Sequence, residues 1–107
     1  MAFNPAPNTW LANWSEDGTN ITVPIATFPE LTAAEADGET GDIREVVFSI
    51  ADALFAKWAD TDTADRPTQM TISKGVSTNV NTGIVTQTFS FRFNTEVSAQ
   101  GVVAEPE

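Results

Sequence analysis

Three aspartates fall close together in the stretch DTDTAD, at Asp60, Asp62 and Asp65, and a second acidic stretch, DGETGD, runs from Asp37 to Asp42. Closely spaced carboxylates suit hard cations such as calcium, which take several oxygen ligands at once. Neither stretch has EF-hand spacing, which needs a glycine at the sixth position and a glutamate at the twelfth. Neither cradles phosphate: no Lys-Ser/Thr pair follows the glycines, and the charge has the wrong sign. The plainer reading is a pair of solvated loops. The alternative is a small acidic metal- or ligand-binding module built on loops 37–42 and 60–65. Paired carboxylates also hydrolyse glycosides, but they need a cleft, and so short a chain with one long helix has little room for one.

Histidine, cysteine and tyrosine are absent. The commonest general base, the Ser-His-Asp arrangement and most transition-metal sites fall away with them, as do disulfides and zinc–cysteine centres. No catalytic, cofactor or metal residue is assigned, and the expectation is a protein that is not an enzyme. The 15 acidic and 5 basic residues leave a net charge of -10, with the basic residues scattered rather than patched. Such a chain repels phosphate backbones and anionic bilayers, so neither nucleic acid nor membrane is an expected partner. No run approaches the roughly 20 apolar residues of a membrane span. The opening MAFNPAPNTW lacks the basic flank and apolar run of a signal peptide. An intracellular soluble protein is expected.

The elements that would position any site follow from periodicity. One domain over 1–107 is expected, with an extended N-terminal arm over about 1–9 and a frayed acidic tail over about 98–107. SEDGTN, Ser15 to Asn20, is a turn centred on Asp-Gly. Ile21, Val23 and Ile25 alternate in ITVPIATF, predicting a strand from Ile21 to Phe28; Pro24 lacks a donor and assigns it to a sheet edge or a bulge. Thr32 and Glu35 have capping-box spacing, so a single helical turn precedes Gly38. Ile43, Val46, Val47, Ile50, Leu54 and Trp58 recur at three- and four-residue steps, predicting a long amphipathic helix opened by Asp42 and Glu45. Arg44, Ser49, Asp52, Lys57 and Asp60 are left for its exposed side. The wide apolar face calls for cover on more than one side.

After this helix the pattern turns strand-like. Met70 and Ile72 share a face in TQMTISKGVST; Lys74 interrupts it, and a bulge at Gly75 would change the phase before Val76. NVNTG, Asn79 to Gly83, is a hairpin loop. The following strand alternates strictly, with Phe89, Phe91 and Phe93 on one face and Thr88, Ser90, Arg92, Asn94 and Glu96 on the other. That pattern belongs to a sheet covered on one side. The Phe row is therefore expected to be core, covered by the helix Ile43 to Trp58.

The fold class that results is α+β: a small antiparallel sheet of three to five strands with one long amphipathic helix on its apolar face. The expected function is a non-enzymatic structural or protein-interaction role, through self-association as a homo-oligomer or through a foreign subunit. Candidate interface residues are Phe3, Trp10 and Trp14 near the arm, with Ile21, Val23 and Ile25 on the expected edge strand, since aromatics are enriched at interfaces; the arm's aromatics either dock on a neighbouring subunit or fold back on their own sheet. In composition the chain is similar to small accessory proteins of phage and prophage structural operons: acidic, cysteine-free, with Thr- and Asn-rich strands and extended termini. That resemblance rests on no particular residue and implies a virion-associated component.

Overall fold

A computed structural model describes residues 5–94. Contacts divide the chain into two compact units, Pro5–Thr61 and a second whose described part is residues 62–94. The first opens with a helical turn, α1 (Pro7–Trp10), so this part of the expected extended arm is helical. Proline suits the first helical position because its missing N–H would find no partner there anyway. A two-residue hairpin follows, β1 (Ser15–Glu16) against β2 (Ile21–Thr22), with Glu16 opposite Ile21. Its turn closes as the Asp-Gly pair predicts. The Asp17 carboxylate accepts from the Thr19 and Asn20 amides at 2.9 and 2.7 Å, and Gly18 takes the positive φ of 89°.

The strand expected from Ile21 to Phe28 ends after Thr22. Pro24, with φ -65°, instead caps a 3-10 turn over Ile25–Thr27. Proline's ring fixes φ and removes a ladder donor, so the alternating pattern beyond it could not extend the sheet. The short helix α2 (Ala33–Ala36) carries the full capping box: Thr32 Oγ1 accepts from the Glu35 amide, and the Glu35 carboxylate accepts from the Thr32 amide at 3.0 Å.

The long helix is α3 (Ile43–Asp60). It contains no glycine or proline, and Asp42 caps it. That carboxylate accepts from the Arg44 amide at 2.9 Å and also holds the Arg44 guanidinium at 2.8 Å. At the other end the Thr61 hydroxyl donates to the Lys57 carbonyl at 2.6 Å. Its burial departs from the periodicity. Ser49, assigned to the exposed side, is only 2% exposed, while Ile43 and Val47 on the apolar stripe are open to solvent. Trp58 meets Trp10 edge-on, ring centroids 6.3 Å apart.

The second unit is a 3-10 turn (Thr63–Asp65) and a hairpin of β3 (Met70–Asn79) and β4 (Ile84–Phe93). The two strands pair antiparallel through ten consecutive residues, from Met70 opposite Phe93 to Asn79 opposite Ile84. No bulge interrupts the pairing at Gly75, so Val76 keeps the phase of Met70 and Ile72. Alternation along the unbulged strand keeps Lys74 on that face too, where its ammonium lies 5.1 Å from the centre of the Phe89 ring and the ring quadrupole attracts it. The loop turns on Asn79, whose side chain accepts from the Asn81 and Thr82 amides at 3.0 and 3.3 Å, and on Gly83 at φ 72°.

The fold is thus α+β, but among the described residues its strands make two separate two-stranded sheets rather than one of three to five strands. Among the described residues the buried apolar side chains are Phe28 and Ala51 in the first unit and Ile72 in the second. The Phe row shares one face as expected, but it is no closed core: Phe91 is 39% and Phe93 54% exposed. No helix among the described residues is long and apolar enough to cross a membrane.

Candidate protein-interaction surface

The acidic loop 37–42 uses the Asp37 and Asp42 carboxylates for local structure. In loop 37–42 the Asp37 side chain accepts from the Glu39 and Thr40 amides at 2.9 Å each. Those bonds, that from Thr40 foremost, favour the ionised form and hold its carboxyl below the usual carboxylate range. Asp42 is lowered too, chiefly by the Arg44 guanidinium, and Asp17 by the Asn20 amide. Gly41 lets this loop close. A Cβ there would lie 2.5 Å from the Asp37 carbonyl oxygen and nearer still to that of Glu35. In the other loop Asp62 precedes the 3-10 turn without capping it. No three carboxylates gather where they could hold a metal ion, among the described residues.

The residues proposed from sequence for an interface are spread over different environments. Phe3 lies outside the described residues. Trp10 is half-buried against Trp58 within its own unit, and Trp14 and Val23 are half-buried. Ile21 and Ile25 are exposed. A shallow groove beside Trp10 is lined by Ala53, Ala56 and Pro29, with Lys57 and Asp60 as its charged members.

A second surface escaped the sequence reading. From Gly75 to Thr88 every residue of the hairpin is exposed, on both faces. Val76, Ile84 and Val85 stand open in the ladder, and Val80 at the loop is 87% exposed. Neither β3 nor β4 has a second strand neighbour among the described residues, and from Gly75 to Thr88 the unpaired edges lie in exposed residues. The charge of this segment also differs from the rest. Arg66, Lys74 and Arg92 are the only charged residues of 66–94, whereas Pro5–Thr61 holds ten acidic residues against Arg44 and Lys57. Three of the five basic residues therefore lie in an acid-free stretch, still scattered, with Lys74 and Arg92 on opposite faces of the ladder. That run was legible in the sequence, as was the uncharged, β-branched and aromatic run from Ile84 to Phe91. Their meaning depends on the strands having no further neighbours.

Protein-family models, curated proteins and solved structures yield no match to this chain.

Proposed function

We propose that this chain is a non-enzymatic interaction protein, a component of a larger protein assembly such as a virion, and that the hairpin β3–β4 is its contact surface. One observation carries the reading: a ten-residue two-stranded ladder has no further strand beside it among the described residues, and its outer half is exposed on both faces. A two-stranded ribbon is marginally stable by itself in water, and a sheet edge is a template for another strand. Val76, Val80, Ile84 and Val85 add apolar surface that this chain leaves open. The first strand and arm are the weaker candidates, because β2 is two residues long and Trp10 is engaged by Trp58.

The test is the size of the complex formed by tagged protein in extracts of its source cell. Full-length protein should elute in an assembly. A variant with the hairpin cut back to a short Asn-Gly turn after Gly75, and a second carrying Val80→Lys and Val85→Lys, should elute as free chains with unchanged helical circular dichroism. Retention of both variants in the assembly would refute the reading, as would elution of the full-length protein as a free chain.

A further inference from the structure

We propose that the outer edge of β4 pairs with β4 of a second copy, antiparallel about a two-fold axis at Phe89, to make one four-stranded sheet. This rests on the reading of the hairpin as the contact surface and names its partner.

The two edges of the hairpin are not equivalent. Strand β3 carries Lys74 and Gly75 at its middle, a charge and a flexible residue that both discourage pairing. Strand β4 has no charge, glycine or proline from Ile84 to Phe91. It is the unprotected edge.

Its sequence complements itself. When two copies meet about an axis perpendicular to the sheet, opposed residues must come from the same face of the strand. Their outward backbone groups then also match. With Phe89 on the axis, Val85 meets Phe93 and Gln87 meets Phe91 on one face, while Thr86 meets Arg92 and Thr88 meets Ser90 on the other. Aromatic–aromatic and aromatic–β-branched pairs, here Phe89 with its copy and Val85 with Phe93, are among those that stabilise sheets. The two Arg92 side chains lie six residues apart along the strand, about 20 Å, beyond the roughly 8–10 Å reach of charge in physiological salt. The shared apolar face then runs through all six phenylalanines of the two strands.

Charge permits this contact. Each copy carries -10 overall, and the ten acids of Pro5–Thr61 repel their counterparts. Residues 66–94 hold three basic residues and no acid, so like-charge repulsion between two hairpins is weaker than between two acidic units. Pairing through one edge buries less than the roughly 800 Å² per partner of a standard interface, so the dimer dissociates on dilution and its Kd responds to single charges.

Thr86 supplies the test. Within the chain it faces Ser77 and is exposed, so a charge there leaves the monomer unchanged; across the axis it faces Arg92 twice. Sedimentation of purified protein across the micromolar range should show a monomer–dimer equilibrium. Thr86→Glu should tighten it and Thr86→Lys weaken it, each by roughly 2- to 30-fold in Kd. The parent lacks cysteine, so a single introduced thiol reports register. Under oxidised glutathione Phe89→Cys should form a disulfide-linked dimer, because opposed Cα atoms lie about 4.5–5.5 Å apart. Thr86→Cys should not. A parent monomeric throughout the range overturns the proposal. So do charge variants that shift Kd in the same direction or not at all, or equal cross-linking at positions 86 and 89. A monomeric purified protein whose assembly in extracts still requires the hairpin overturns the second copy alone and leaves the contact surface standing.

Discussion

Burial falls steeply along the hairpin, and a series of truncations should reproduce that gradient. Ile72 near its base is 3% exposed and sits opposite Phe91. Removing a fully buried isoleucine side chain costs about 2–5 kcal/mol, through lost transfer energy and the cavity left behind. Phe91 is 39% exposed; scaling the about 3–5 kcal/mol of a buried Phe→Ala change by the covered three-fifths leaves about 2–3 kcal/mol. Phe93, 54% exposed, should lose about 1.5–2 kcal/mol on the same scale. Val80→Ala, at a position 87% exposed, should stay within about 0.5 kcal/mol. Urea unfolding followed by circular dichroism, at concentrations where sedimentation shows monomer, measures each value as a shift in midpoint at constant slope. The order Ile72, Phe91, Phe93, Val80 is the content of the prediction. An Ile72→Ala variant within about 0.5 kcal/mol of the parent would show that Ile72 is not buried in solution. A Phe91→Ala loss near 5 kcal/mol, the top of the range for a buried ring, would mean that the row is closed core after all.

Three other perturbations follow from individual side chains. Ser49 is buried with its hydroxyl unpartnered, so Ser49→Ala should stabilise by about 0.5–2 kcal/mol, from a relieved polar group and better helix propensity; a lower melting temperature would show that the hydroxyl has a partner. Gly41→Ala should cost about 1–3 kcal/mol by forcing a methyl against two backbone carbonyls, while Gly38→Ala, where a Cβ meets nothing, should not show that clash; equal melting temperatures would refute the close approach. Asp17, Asp37 and Asp42 are held below the usual carboxylate range, so their contribution is present above the unfolded value of about 3.9 and is lost as pH falls through the folded value. Stability should therefore drop on acidification below about pH 4, less steeply in Asp37→Asn; identical slopes for parent and variant would refute the assignment.

Local order was legible in the sequence wherever a few neighbouring residues decide it. Thr32 and Glu35 form the capping box that their spacing announces, and Asp42 opens the helix that begins at Ile43. Gly18 and Gly83 take the positive φ of their turns, and the phenylalanines alternate on one strand. Each is a matter of backbone sterics or of hydrogen bonds within a few residues. Other features depended on what the chain meets at a distance. Periodicity counted Ile43 and Val47 as covered and Ser49 as exposed, but helical spacing says only which residues share a side; the surroundings of each turn decide which side is buried. Alternation from Ile21 to Ile25 resembled a strand, yet it says nothing of hydrogen-bond partners, and the chain leaves the ladder before Pro24. Trp10 reads equally as a partner contact or a folded-back aromatic until Trp58, 48 residues on, is found against it. The row at Phe89, Phe91 and Phe93 names a face by its composition, but how far that face is closed, and that no third strand joins it among the described residues, are properties of the folded chain. Side-chain alternation is local, whereas burial and strand pairing are made by parts of the chain remote in sequence.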